Sequence, residues 1–313
     1  MKEFLKSVFL AKKDLVGAPS GFSFEFNEKR RLVEPLYKIV ETRGFVEVST
    51  PTFDFFEVYE KTLGSGAKEL FVFKDGSDFI VPRYDITTQI VRFLAPRVKS
   101  LKFPVKVFYY GDVFREPEFR WYPRQIGQFG VEIIGGGDND LRELLEVLKE
   151  MLSVFVSLKV FNEYKFVFNF SQVLDSVFSK FPLDERELVR YLLSNKDLPS
   201  LRNMAGEEVF RLIERFVDLS FEEKVEVVVD EVFDILGMEV LGIKLGVGMV
   251  NEIFGDTIFD PTLVPDIDYY SGIFFKVYVD TLPYSIAGGG RYDSLTERFG
   301  YKATAMGFAI DVV

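Results

Sequence analysis

"VKVFYYGDVFREPEFRWYPRQIGQFGVEIIGG", residues Val105–Gly136, decides the fold. Its two ends, VKVFYYGDVFR and QIGQFGVEIIGG, read as strands, and glycines end the second. The chain between them carries Arg115, Arg120 and Arg124. Gln128, Gly130 and Glu132 stand two apart, so on a strand they share one face, while Phe129 and Val131 point the other way, into a core. An amide and a carboxylate on the buried side of a sheet need polar partners. The same spacing also fits a face that is simply wet, and the pattern alone does not choose.

Outward from this pair, residues 27–43 read as an amphipathic helix with Asn27 as N-cap, Pro35 as a kink and Gly44 as its stop. FVEVSTPTFDFF alternates like a strand until Pro51. FVFKDGSDFIVPR reads as a hairpin turning at Asp75-Gly76. A helix is predicted over 84–97, another over 140–158, and YKFVFNF alternates strictly as a strand. Residues 181–236 change character, helical and rich in charge, and read as an insertion within one domain spanning 1–313. VLGIKLGVG and IFFKVYV read as strands, AGGGRYDSLTERFG as a loop leading into a helix, and ATAMGFAIDVV as a final strand. Hairpins with few βαβ units predict an α+β fold, a mostly antiparallel sheet flanked by helices.

Composition narrows the chemistry. The chain has 313 residues, 48% of them hydrophobic, with no cysteine and no histidine. Disulfides, thiol nucleophiles, Ser-His-Asp catalysis and the usual Cys or His metal sites are therefore excluded, and neither a metal nor a cofactor is expected. The net charge of −11 weighs against a nucleic-acid partner, since such affinity rests on phosphate neutralisation, although acidity also serves solubility. No run of eighteen apolar residues reads as a membrane span. Lys12, Lys13 and Asp14 interrupt the first apolar stretch too early for a secretory signal, so the reading is a mature cytoplasmic N-terminus.

Three further stretches bear on a site. AGGGRYD lacks the ending of a P-loop and the spacing of a dinucleotide fingerprint, so its glycines mark backbone close to a ligand or to another strand. VPRYDITTQIVRF brings Arg83, Asp85 and Thr87 together before a helix, where Asp85 also reads as an ordinary N-cap. FDPTLVPDIDYYSGIFF, Phe259–Phe275, sets Asp268 and Tyr270 two apart with Pro265 just before them.

TPTFDFF, VFREPEF…RQIGQFGVE, LVPDIDYYSGIFF, GGGRYDSL and TAMGFAI occur in the order of the class II aminoacyl-tRNA synthetase catalytic domain, and the chain most resembles the histidyl branch, from about Phe22 to Val313. The resemblance implies that Asp85, Thr87 and Gln128 hold an amino acid's ammonium, that Glu132 and Tyr270 read its imidazole, and that Arg115 grips an anion. Asp85 is shorter than the glutamate usual there. It also implies dimerisation through the segment ending at Pro51.

The departures are as informative. Pro265 and Asp266 stand where the synthetase pattern LVRGLDYY has arginine and glycine. The stabilisation of developing negative charge that phosphoryl chemistry needs is then missing. The last motif stops one position before an expected arginine, and no anticodon-binding domain is expected to follow. This combination resembles the synthetase paralogues that serve as regulatory subunits of ATP phosphoribosyltransferase. That implies a non-catalytic chain without synthetase activity, acting in histidine biosynthesis. Its implied partner is the short-form catalytic subunit, with a homodimer inside a hetero-octamer and histidine as effector. Arg115, Arg120 and Arg124 would contact an anion or the partner. Two alternatives stay open: a truncated histidyl-tRNA synthetase catalytic core, and a free-standing amino-acid sensor.

Overall fold

The computed structural model describes residues 26–63, 70–116, 123–222, 224–236, 241–265 and 267–312. Helix α1 (Phe26–Glu41) continues through Pro35, and Asn27 lies inside it rather than capping it. It buries Val33, Leu36, Ile39 and Val40 on one face. Gly44, at φ 76°, closes it by donating to the Glu41 carbonyl at 3.0 Å, a left-handed position that favours glycine.

FVEVSTPTFDFF holds two strands in different sheets, β1 (Val46–Glu47) and β2 (Phe53–Phe55), on either side of Pro51, where the expected strand ends. Proline cannot donate to a ladder, and Pro51 falls in the gap. The Arg83 guanidinium occupies this break, donating to the carbonyls of Thr50 at 2.8 Å and Asp112 at 2.6 Å. After α2 (Phe56–Leu63), β3 (Phe73–Asp75) and β4 (Asp78–Pro82) form the expected hairpin. The pair Asp75–Asp78 closes on Gly76, whose φ is 61°. β2, β4 and β3 make a small three-stranded sheet.

Helix α3 (Thr87–Leu94) passes into a 3-10 turn over Ala95–Ser100. β5 (Val105–Phe114) and β6 (Gln125–Ile134) pair antiparallel along their whole length, Val105 with Ile134 and Phe114 with Gln125, as the opening stretch predicts. α4 (Asp138–Ser157) and β7 (Tyr164–Phe170) follow. Next come α5 (Ser171–Phe178), α6 (Arg186–Ser194), α7 (Leu198–Met204), α8 (Glu207–Leu219), α9 (Val225–Leu236) and α10 (Leu241–Phe254). The chain finishes with β8 (Thr257–Phe259), β9 (Ile273–Val279), β10 (Ser285–Arg291), α11 (Asp293–Arg298) and β11 (Ala305–Asp311).

Two sequence expectations are corrected here. From Leu241 onward VLGIKLGVG is not a strand but the start of α10, and Val240 lies outside the described residues. Its buried Ile243, Val247, Val250 and Ile253 recur at helical spacing, and Gly246 lets the helix approach the Phe170 ring, which a Cβ there would meet at 3.0 Å. The glycines of AGGGRYD lie in strand β10, not in a loop. A Cβ at Gly289 would stand 2.4 Å from the Gly307 carbonyl oxygen, and one at Gly290 2.4 Å from that of Ile273. At Gly289 and Gly290 the backbone approach read from those glycines is therefore to neighbouring strands.

The large sheet has the order β1-β5-β6-β11-β10-β9-β7-β8. Its described pairs are antiparallel except at the two edges, where β1–β5 and β7–β8 run parallel. One face carries Phe129, Val131, Phe308 and Ile310, packed in one core with Leu144, Leu148, Met151 and Phe155 of α4. Fully burying each such side chain is worth roughly 1.5–3 kcal/mol, so this back face fixes the sheet and frees the opposite face for a site.

Candidate functional site

The front face is built on absent side chains. In the register Gly130, Ala309, Gly288 and Lys276 lie side by side across β6, β11, β10 and β9. The next row is Glu132, Gly307, Gly290 and Phe274. Tyr109 folds over Gly130, where a Cβ would stand 2.1 Å from the ring, and the Glu132 carboxylate leans over Gly307, where a Cβ would stand 1.6 Å from Oε2. Gly288 differs, because a Cβ there would meet only the Phe275 carbonyl oxygen, at 3.6 Å. Above Gly288 and Ala309 opens a cavity of about 130 Å³.

The structure brings Asp85, Thr87, Gln128, Tyr270 and Arg115 together on its walls. Asp85 comes from the turn before α3. Its Oδ1 accepts from the Thr88 backbone N–H at 2.6 Å, so the carboxylate does hold the first turn of the helix. Its Oδ2 is buried and has no partner. Burial pushes the Asp85 pKa up, against the Thr88 hydrogen bonds and the Arg115 charge, which favour the anion. Tyr270 lies 5.2 Å from Tyr269 and 5.7 Å from Phe274, measured between ring centroids.

Glu132 stands behind the wall rather than on it. Oε1 accepts from the Thr87 hydroxyl at 2.6 Å, and Oε2 accepts from the Tyr292 hydroxyl. It is 1% exposed, and burial raises its pKa to about 8 even though both hydroxyls favour the anion. The partners required by a Gln and a Glu on a buried face are thus Thr87 and Tyr292 for Glu132, and Asp311 for Gln128, whose Nε2 donates to Asp311 Oδ1 at 2.9 Å. Burial also raises the phenol pKa values of Tyr109, Tyr269 and Tyr292, which remain neutral hydrogen-bonding groups.

Arg115 donates through Nε to the Tyr84 carbonyl at 3.3 Å and lies over the Tyr84 ring at 4.6 Å. Its backbone N–H reaches the Arg124 carbonyl, which ties the two ends of the loop together. Arg124 is half-buried and is not among the lining residues. Arg120 and Asp266 lie outside the described residues. Pro265 stands on the cavity wall. Asp268 is not beside Tyr270 in the cavity; it pairs with Arg298 of α11 at 3.2 Å.

Sequence reasoning did not assign Tyr109, Tyr292, Lys276 or Asp311. The alternation Gly307, Ala309, Asp311 mirrors Gln128, Gly130, Glu132, and that shared period of two was the available signal. Taken together, the lining includes the Asp85 carboxylate and the Gln128 amide. Arg115 and Lys276 are the cations among its described lining residues. That arrangement suits a small zwitterion.

A mostly antiparallel sheet with a ligand-sized cavity on its open face, backed by helices, defines a class II aminoacyl-tRNA synthetase-like fold. The profile of the family "Histidyl-tRNA synthetase" matches residues 23–313. The ATP phosphoribosyltransferase regulatory subunit of Streptococcus thermophilus is 33% identical over 291 residues, 88% of this chain and 85% of that protein. The histidine–tRNA ligase of Methanocaldococcus jannaschii is 33% identical over 302 residues, 90% of this chain and 70% of that protein. A crystal structure from Bacillus halodurans, titled as an ATP phosphoribosyltransferase regulatory subunit/histidyl-tRNA synthetase, superposes with a TM-score of 0.77 at 20% identity. The match covers 95% of this chain and 80% of that one. The chain belongs to the histidyl-tRNA synthetase family. Among the described residues no helix is long and apolar enough to cross a membrane.

Proposed function

We propose that this chain is a regulatory subunit of ATP phosphoribosyltransferase, acting without chemistry of its own in the first step of histidine biosynthesis. Its partner is the short-form catalytic subunit, with a homodimer of this chain inside a hetero-octamer. Residues 181–236 form an insertion in a single domain. The cavity takes histidine as effector. Asp85, Thr87 and Gln128 receive the ammonium, Tyr270 receives the ring, Glu132 supports the pocket from behind, and Arg115 faces the carboxylate. The observation that carries the reading is Pro265 on the cavity wall. The synthetase pattern has an arginine there, and proline offers no charge to a reacting phosphate. The name of the Streptococcus thermophilus relative supports it. Histidine controls the assembly only by binding two of its states unequally.

A second reading, a histidine–tRNA ligase domain, is favoured by Arg115 on the cavity wall and by the name of the Methanocaldococcus jannaschii relative. Two measurements separate them. Mixed with a short-form catalytic subunit, the chain is expected to co-elute with it, raise its activity and make it sensitive to histidine. Alone, it is expected to show no histidine-dependent ATP–pyrophosphate exchange. Robust exchange establishes the second reading, and absence of both complex and exchange leaves an amino-acid sensor with another partner.

A further inference from the structure

We propose that Asp311 is a positioning residue that sets the Gln128 side chain to accept a hydrogen bond from a ligand ammonium; this rests on the reading of the cavity as an amino-acid site. Gln128 and Asp311 are directly paired positions of β6 and β11, and both line the cavity. The Gln128 Nε2 donates to Asp311 Oδ1 at 2.9 Å. An amide presents a donor on one side and an acceptor on the other, and its two orientations are nearly equal in shape. A carboxylate beside it removes the ambiguity, because a carboxylate accepts and the reversed amide would set oxygen against oxygen. The Gln128 Oε1 is thereby turned away from Asp311.

Gln128 shares the cavity lining with Asp85, whose Oδ2 is buried and has no partner. An amide oxygen and a carboxylate on the lining of one small cavity favour a group with several N–H donors and no acceptor, which is the chemistry of an ammonium. With Asp311 gone nothing holds the oxygen toward the cavity, and an amide that turns its NH₂ there repels that group. Asp311 therefore acts on specificity through Gln128.

The test measures L-histidine and imidazolepropionate, its analogue without the ammonium, by calorimetry on the full chain. Asp311→Ala is expected to weaken histidine about tenfold, the loss of one well-placed hydrogen bond, and to leave the analogue within about twofold. Asp311→Asn keeps an acceptor for Nε2 and is expected to stay within about threefold of wild type for histidine. Gln128→Ala should match Asp311→Ala, and the double variant should lose no more than Gln128→Ala alone.

Equal losses for both ligands would mean a merely structural role. Additive losses, or Asn as weak as Ala, would mean that Asp311 acts on the ligand through its own charge. Either result overturns the proposal, as does an unchanged Asp311→Ala. Wild-type protein that binds neither ligand overturns the amino-acid reading of the cavity itself, and this inference with it.

Discussion

Glu132→Gln tests the electrostatics of the pocket directly. The wild-type carboxyl is fully enclosed, and burial moves its pKa from 4.5 to about 8. Between those values the folded chain keeps a proton that the unfolded chain releases. Stability of the ligand-free protein therefore falls as pH rises from about 4.5 through about 8, and levels off above. The displacement corresponds to about 3–5 kcal/mol at full ionisation. The substituted amide is isosteric with the carboxyl, offers a carbonyl to one hydroxyl of Thr87 and Tyr292 and an NH₂ to the other, and carries no charge. Denaturant unfolding from about pH 5 to 9 should show the variant's advantage over wild type growing by that amount toward the alkaline end. A difference that stays constant over the range would refute the reasoning, because the carboxyl would then be ionised or solvated in the folded state.

Asp85→Asn keeps the acceptor for the Thr88 N–H but loses the buried charge. It should raise stability by about 1 kcal/mol in denaturant unfolding while weakening histidine about 10–100-fold by calorimetry. Gly288→Val points into open cavity, so it should leave stability within about 1 kcal/mol yet reduce histidine binding at least about tenfold by overlap. Gly307→Ala places a methyl against the Glu132 carboxylate and should cost about 2 kcal/mol or more in thermal or denaturant unfolding.

Much of the fold was legible where local chemistry and tertiary context agree. The Asp75-Gly76 turn, the β5–β6 pair and the strict alternation of YKFVFNF needed only a period of two and a left-handed glycine. VLGIKLGVG failed because three glycines and β-branched residues weaken a helical reading, whereas what holds it helical is burial of Ile243 and Val247 together with Val250 and Ile253 further on. Spacing alone sets Gln128 and Glu132 on one face and calls for polar partners there. Which partners they find, Asp311 from a strand 183 residues away and Tyr292 from 160 away, is a matter of sheet order that no window of sequence contains. Asp268 and Tyr270 share the same spacing but lie outside any described strand, so the two-residue rule did not apply to them.

The two sides of the cavity differ in how far they can be reshaped. Gly288 is already the smallest residue and Ala309 can lose only a methyl, so substitution of this pair can enlarge the space by one methyl at most. More room for a bulkier guest comes from trimming larger lining residues such as Pro265, Ile267 and Tyr270. Redesign toward larger amino acids should therefore start from that segment, whereas drift at Gly288 can only tighten the choice of guest.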